Sequence, residues 1–214
     1  MSQPTPSIQP LRVGVLLSGG GRTLENLADY LKDHPGLAEV VLVISDRPTA
    51  FGLERARRLG IPALVMPCRN QEDSLKIFQA LDDASVQVAL LAGFLRLLHV
   101  PNSWQGRMLN IHPSLIPKFC GEGYYGDRVH RAVLEAKEQM SGCTVHFVDN
   151  SYDHGPILLQ ERVPVFPQDT PEILAQRVFE AERRLYPRAV RAMALGLVTW
   201  VGGKPYVVSE EEQR

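Results

Sequence analysis

The clearest chemistry in this sequence lies in Met108-Leu109-Asn110-Ile111-His112-Pro113-Ser114-Leu115-Ile116-Pro117, where two polar residues interrupt an apolar run. Asn110 and His112 are two apart on a probable strand end, so their side chains share one side, and Pro113 restricts the backbone beyond them. An amide can donate to a developing oxyanion, and an imidazole can give or take a proton near neutral pH. From spacing alone, the pair fits stabilisation of a tetrahedral intermediate and a satisfied structural pair equally well. A second polar segment, Val145-His146-Phe147-Val148-Asp149-Asn150-Ser151-Tyr152-Asp153-His154-Gly155-Pro156, carries a strand into a loop. A carboxylate delivered from it beside His112 would raise the proton affinity of the ring and hold it as a donor. A loop Asp capping its own backbone is the alternative.

A third segment, Ser18-Gly19-Gly20-Gly21-Arg22-Thr23-Leu24, runs from an apolar stretch straight into a helical pattern. Small residues there leave N–H groups free at a helix start, which makes an anion site. A dinucleotide fingerprint needs a small residue where Leu24 stands, and no Gly-Lys-Ser/Thr follows, so the phosphate of a small metabolite fits better, with a merely packed turn as the alternative. Asp46 stands where a ribose-binding acid would, and Ser45-Asp46-Arg47-Pro48 fits a surface turn as well. The spacings of His112, His130, His146 and His154 match no metal-ligand template, and nothing around Cys120 marks an activated nucleophile; no metal is expected.

These residues need a frame. Apolar runs recur at Leu11–Leu17, Val40–Ile44, Ala63–Met66, Val86–Leu91 and Met108–Ile111, nearly continuous rather than alternating, as in strands covered on both faces of a parallel sheet. Between them, Leu24–Leu31, Gly52–Leu59 and Ser74–Leu81 carry apolar residues at helical spacing. Such alternation predicts a Rossmann-like, doubly wound α/β sheet with ligands beyond the carboxyl ends of its strands. Further on, Cys143–Val148 and Ile157–Val165 predict antiparallel edge strands, followed by a long helix from Pro171 to Leu195. One domain over residues 11–208 is expected, flanked by flexible termini at 1–10 and 209–214.

Composition narrows the class. With 23 Lys+Arg against 24 Asp+Glu and a net charge of -1, there is no basic run to neutralise a nucleic-acid backbone. No apolar stretch reaches the ~18 residues that span a bilayer, and no signal-peptide pattern opens the chain. Three scattered cysteines, Cys68, Cys120 and Cys143, fit neither a disulfide framework nor a metal motif, and point to a reducing, cytoplasmic compartment.

Together, the glycine loop, Val41–Arg47 with Gly52-Leu53-Glu54-Arg55-Ala56, Leu91-Ala92-Gly93-Phe94-Leu95-Arg96-Leu97-Leu98, Leu109–Lys118 and Val145–Pro156 resemble the phosphoribosylglycinamide formyltransferase family, over roughly residues 11–195. Asn-Ile-His-Pro-Ser-Leu with a later Asp-x-Gly-Pro belongs to the wider folate-dependent formyltransferase superfamily. Ala-Gly-Phe-x-Arg and Glu180-Ala181-Glu182-Arg183-Arg184-Leu185-Tyr186-Pro187 point to the glycinamide ribonucleotide branch. The resemblance implies the formyltransferase fold and transfer of a formyl group from 10-formyltetrahydrofolate, a co-substrate, to the amine of glycinamide ribonucleotide in purine biosynthesis. It implies a catalytic trio of Asn110, His112 and Asp153. Gly20, Gly21, Arg22 and Thr23 would hold the phosphate, and Glu182 the ribose hydroxyls. Arg69, Phe94, Leu95, Arg96, Leu97, Leu98, Asn110, Val148 and Asp149 would meet the folate. The partners implied are small molecules, with no nucleic acid or membrane, and the assembly a monomer or homodimer.

Three segments depart from the family pattern. Arg22-Thr23 replaces a usual Ser-Asn, which would hold the anion more by charge. The segment Phe119-Cys120-Gly121-Glu122-Gly123-Tyr124-Tyr125-Gly126-Asp127-Arg128 is longer than the usual loop, and Asn150-Ser151-Tyr152 is less acidic than the usual pterin loop. The alternatives are a formyltetrahydrofolate hydrolase, a formyltransferase to another amine such as an amino sugar or aminoacyl-tRNA, and a non-catalytic nucleotide-binding module.

Overall fold

The computed structural model describes residues 9–208; the expectation of flexible termini falls largely on 1–8 and 209–214, outside the described residues. In chain order the elements are β1 (Leu11–Leu17), α1 (Arg22–Lys32), β2 (Ala38–Ser45), α2 (Phe51–Arg58), β3 (Ala63–Val65), α3 (Gln71–Asp83) and β4 (Val88–Leu91). They continue with β5 (Met108–His112), α4 (Asp127–Glu135), β6 (Met140–Phe147), β7 (Ile157–Pro164), α5 (Pro171–Ala194), β8 (Val198–Val201) and β9 (Lys204–Val207). The first seven strands form one sheet in the order β3-β2-β1-β4-β5-β6-β7. Strands β1 to β5 pair in parallel, and β6 and β7 complete the sheet antiparallel. This is the expected doubly wound sheet with its antiparallel edge.

From β1 the chain winds first toward β3 and then, through β4, toward β7, so its direction reverses between β1 and β4. A crevice opens at the carboxyl ends at such a point. The loops flanking it are tied together: the Ser18 N–H donates to the Gly93 carbonyl at 3.0 Å, and the Leu95 N–H to Ser18 Oγ at 2.9 Å. Gly21 begins α1 with φ +76°, and a Cβ there would lie 2.6 Å from the Gly52 backbone. The glycine loop is therefore pressed against the start of α2, whose Gly52 N–H donates to the Gly19 carbonyl at 3.0 Å. Packing and the left-handed backbone demand glycine at the same place.

Helix α5 is set by Pro171 in its first turn and by Thr170, whose Oγ1 accepts from the Ile173 N–H at 3.3 Å. Inside it, Pro187 has no N–H for the Arg183 carbonyl. Asn26 of α1 takes that carbonyl with Nδ2 at 3.1 Å and accepts from Arg183 Nε at 3.1 Å. The gap in one helix thus becomes a dock for the other. Apolar side chains fill both faces of the sheet: Leu17, Leu24, Val145 and Leu185 on one, Leu16, Ile77, Trp104 and Met108 on the other.

Three features differ from expectation. Strand β3 is exposed rather than covered on both faces: among the described residues it is the outermost strand of the sheet, and its three residues lie beyond the cover that buries the central strands. Helix α4, nine residues long after Gly126, takes up the last two residues of the expected 119–128 loop and continues to Glu135, where no element was expected. The β8–β9 hairpin, turning at Gly202-Gly203, was not foreseen.

Tyr186 of α5 is fully buried, and its hydroxyl lies 3.0 Å from both the Leu91 and Leu109 carbonyls, at the ends of the two strands that carry the crevice. Tyr186→Phe leaves these acceptors without that donor and is expected to cost about 1–3 kcal/mol of stability. Urea unfolding of the two proteins checks this; superimposable curves would mean that the carbonyls do not depend on Tyr186.

Candidate active site

Beyond the carboxyl ends of β1, β4 and β5 lies a cavity of about 580 Å³. Its walls are the glycine loop, the turn after β4, the 121–128 loop with α4, and one face of α5. Gly20, Gly21, Arg22, Thr23, Phe94, Leu95, Asn110, His112, Asp153 and Glu182 all line it. Sequence segments up to 160 residues apart therefore meet around one space.

At one end, three side chains converge on Asp153, whose side chain is 11% exposed. Asn110 Nδ2 donates to Oδ1 at 3.1 Å, the Gly121 N–H donates to Oδ2 at 3.0 Å, and His112 Nδ1 stands 3.3 Å from Oδ2. His146 Nε2 is 3.5 Å from Oδ1 and 3.1 Å from Asn110 Nδ2, while its Nδ1 is 2.8 Å from the Phe147 carbonyl. With Nδ1 donating to that carbonyl, Nε2 faces both Asn110 Nδ2 and Asp153 Oδ1, so His146 helps to place the amide against the carboxylate. Burial by itself would raise the Asp153 carboxyl, but the His146 hydrogen bond, the His112 charge and the Gly121 N–H outweigh it, leaving the group below the ordinary aspartate range.

His112 is 4% exposed and lies between two acceptors: besides Asp153, its Nε2 is 2.8 Å from the Phe119 carbonyl. Both contacts are satisfied only when both ring nitrogens carry hydrogen. Burial nevertheless holds its pKa below the ordinary histidine range, against the opposing pull of Asp153 and the Phe119 carbonyl. This corrects the expectation of a raised proton affinity. The carboxylate acts as foreseen, but desolvation of the ring is the larger effect. Phe119 and Asp153, the two residues that face the ring, both have left-handed backbone, φ +54° and +55°. Non-glycine residues hold that conformation only where their surroundings enforce it.

At the other end, Arg22 lies over the Phe179 ring, 4.1 Å from its centroid. Glu182 lies one helical turn along α5 from Phe179, and burial pushes it up to about 8 despite the nearby Arg22 charge. His130 of α4 also lines the cavity, buried, with Nδ1 unpartnered, and its pKa is lowered by burial.

The remaining folate-side candidates do not line this cavity. Arg69 Nε pairs with Asp73 at 2.9 Å, Arg96 Nε pairs with Asp46 at 3.2 Å, and the Leu97 carbonyl faces Cys68 Sγ at 3.5 Å. Leu98 is buried, the Val148 N–H donates to the Met108 carbonyl at 3.0 Å, and Asp149 accepts from the Ser151 N–H at 2.9 Å. Asn150 joins the last two segments by accepting from the Val100 N–H at 2.7 Å. These residues form a neighbouring surface that meets the cavity at Leu95. Asp46 Oδ2 is turned onto Arg96, while its Oδ1 is buried without a partner among the described residues. Among the described residues, no group of three or more His, Cys, Asp or Glu is arranged to hold a metal, and no helix is long and apolar enough to cross a membrane.

Sequence reasoning gave His146 no role. Its signal was pairing: once β5 and β6 are antiparallel in this register, Asn110 stands opposite His146. The Phe119 carbonyl has no signature in sequence at all.

Residues 11–190 match the formyl transferase family model. The trifunctional purine biosynthetic protein adenosine-3 of Drosophila pseudoobscura pseudoobscura is 44% identical over 194 residues, 86% of this chain but 14% of that protein. The chloroplastic phosphoribosylglycinamide formyltransferase of Arabidopsis thaliana is 39% identical, covering 88% of this chain and 67% of the relative. The crystal structure of glycinamide ribonucleotide transformylase 1 from Symbiobacterium toebii superposes with a TM-score of 0.86 at 38% identity, covering 96% of both chains. The chain thus spans only about a seventh of the trifunctional relative's length.

Glu182 binds its proton more tightly in the folded chain than at its ordinary value of 4.5, so its contribution to stability is full below that value and is lost as pH rises through about 8. Glu182→Gln cannot ionise. Its melting temperature relative to wild type should therefore rise between about pH 5 and about pH 9. A constant difference in thermal melts across that range would show that Glu182 keeps an ordinary carboxyl.

Proposed function

The chain belongs to the formyl transferase family, and we propose that within it this protein transfers the formyl group of 10-formyltetrahydrofolate to the amine of glycinamide ribonucleotide, a step of purine biosynthesis. The observation that carries this reading is the convergence of Asn110, His112 and His146 on Asp153 in a cavity whose other end holds Arg22 and Glu182. One end suits a carbonyl under attack; the other suits a phosphorylated sugar.

In this account Gly20, Gly21, Arg22 and Thr23 bind the phosphate. The N–H groups of the loop and the α1 terminus supply a favourable field, and the Arg22 guanidinium, supported on Phe179, adds charge-assisted bonds. Glu182 binds the ribose hydroxyls: with its proton held by burial, it can donate as well as accept. The folate lies along Phe94–Leu98, Asn110 and Val148–Asp149, with Arg69 near its far end. These folate-side contacts rest on the family resemblance, since Arg69 and Arg96 are paired with Asp73 and Asp46.

The neutral amine attacks the formyl carbon, and negative charge develops on the formyl oxygen. Asn110 and His112 donate to it, the amide releasing one of its two partners, Asp153 or His146, and the ring exchanging its bond to the Phe119 carbonyl for the oxyanion. A depressed pKa suits this imidazole, because the charged ring readily gives its Nε2 proton, directly or through water, to the departing folate nitrogen, and the proton shed by the attacking nitrogen restores it. The C–N bond to folate then breaks, and Asp153 stabilises the ring while it is charged. Holding both substrates in one cavity supplies the orientation. Every group named comes from one chain, so a monomer is a sufficient unit, and the three free cysteines support a cytoplasmic setting.

Incubation with 10-formyltetrahydrofolate, with and without glycinamide ribonucleotide, tests the reading. Release of tetrahydrofolate should require the acceptor. Equal release without it would make the protein a hydrolase, and no release with either would remove the assignment. His112→Ala should keep the fold and lower kcat by about 10²–10⁴, and near-normal turnover would refute its role. Arg22→Ala should raise KM for the phosphorylated acceptor far more than KM for the folate; equal effects would move the phosphate site elsewhere.

A further inference from the structure

The register puts three polar residues in one row across the antiparallel edge: His112 of β5 pairs with Thr144 of β6, and Thr144 pairs with Gln160 of β7. Only the first belongs to the machinery described above. Thr144 is fully buried, and its hydroxyl uses its whole bonding capacity. It donates to the Ser114 carbonyl at 2.7 Å and accepts from the Ile116 N–H at 3.2 Å and from Gln160 Nε2 at 2.9 Å. Gln160 spends its second amide hydrogen on the Ile116 carbonyl at 3.0 Å. Ser114 adds one more tie, donating from Oγ to the Lys118 carbonyl at 2.7 Å.

Backbone groups of residues 114, 116 and 118 are thus held by side chains, and the next carbonyl, that of Phe119, faces His112 Nε2 at 2.8 Å. A free loop would not hold Phe119 in its left-handed conformation. We propose that Gln160 is a positioning residue for the reaction: through Thr144 and Ile116 it fixes the 114–119 segment and so holds the Phe119 carbonyl against His112. Gln160 does not line the cavity, and its amide hydrogens go to Thr144 and Ile116, so it bears on the reaction through this chain of bonds.

The consequence is a tuned imidazole. Asp153 from the loop after β6, His146 from β6 and His130 from α4 act on His112 electrostatically, and the Phe119 carbonyl is the one neutral acceptor that favours its charged form. Loosening the segment removes that acceptor, and among the ties described for the three ionisable neighbours it bears only on the Gly121 N–H at Asp153.

The test uses Gln160→Leu in the full chain, a substitution near the sheet edge, with two readouts. The nitrogen NMR shifts of His112, followed against pH, should give a titration midpoint lower by about 0.5–1 pH unit. In the formyl-transfer assay, kcat should fall by about 10- to 100-fold with both KM values within about 3-fold. Thr144→Val, which removes the hydroxyl and keeps the shape, should reproduce the lowered midpoint, and Thr144→Ser should restore it. An unmoved midpoint in Gln160→Leu overturns the proposal whatever happens to kcat. Should that variant not fold, an unmoved midpoint in Thr144→Val does the same. The kinetic arm rests on the formyl-transfer reading and fails with it if wild type shows no acceptor-dependent release; the titration arm does not.

Discussion

A single buried carboxylate organises this molecule. Asp153 receives Asn110 from β5, faces His112 from the same strand and His146 from β6, and accepts a backbone N–H from the 119–121 turn. An unpaired carboxylate at that depth would be strongly penalised, and it would escape by taking up a proton. The partners reverse this, so the group stays ionised and the partners stay in place. Two strands, a turn and a polar loop are thereby fixed to one point, and the left-handed backbone at Asp153 is the local strain that this arrangement sustains.

The sheet supplies the rest of the geometry. Parallel strands diverging from β1 create the crevice, and the tight approach of Gly21 to Gly52 closes its floor. Helix α5 crosses above it, held to α1 by Asn26 on the carbonyl that Pro187 leaves free. That contact brings Arg22 and Glu182 to the opposite end of the cavity from Asp153. Cationic and hydrogen-bonding groups thus stand at the Arg22 end of the space, and the His112–Asp153 pair stands at the other.

Much of this was legible in the residues. Continuous apolar runs alternating with helical periods gave the doubly wound sheet, because burial on both faces removes the need for alternation. The two-residue spacing of Asn110 and His112 gave a shared face, since strand side chains alternate. What stayed hidden has physical reasons too. Strand β3 reads as a buried run, yet whether another strand lies beyond it is a matter of topology. Helix α4 spans about two turns and follows a loop rich in glycine, too short for a periodic signal. His146 and Gln160 acquire meaning only from cross-strand register, which a linear reading does not contain. The Phe119 carbonyl is backbone and has no residue type to betray it. For Arg69, Arg96 and Asp149, sequence gives chemistry but not direction, and in the folded chain each is engaged by a nearby group.

The central claim is that Asp153 and His112 act as one unit, the carboxylate working through the ring. A double-mutant cycle of His112→Ala and Asp153→Asn, read as single-turnover formyl transfer, tests it most directly. The account predicts strong non-additivity, with the double variant about as slow as the slower single variant, because the second substitution removes nothing that the first has left working. Losses that multiply would contradict it, and would mean that the two groups serve the reaction independently.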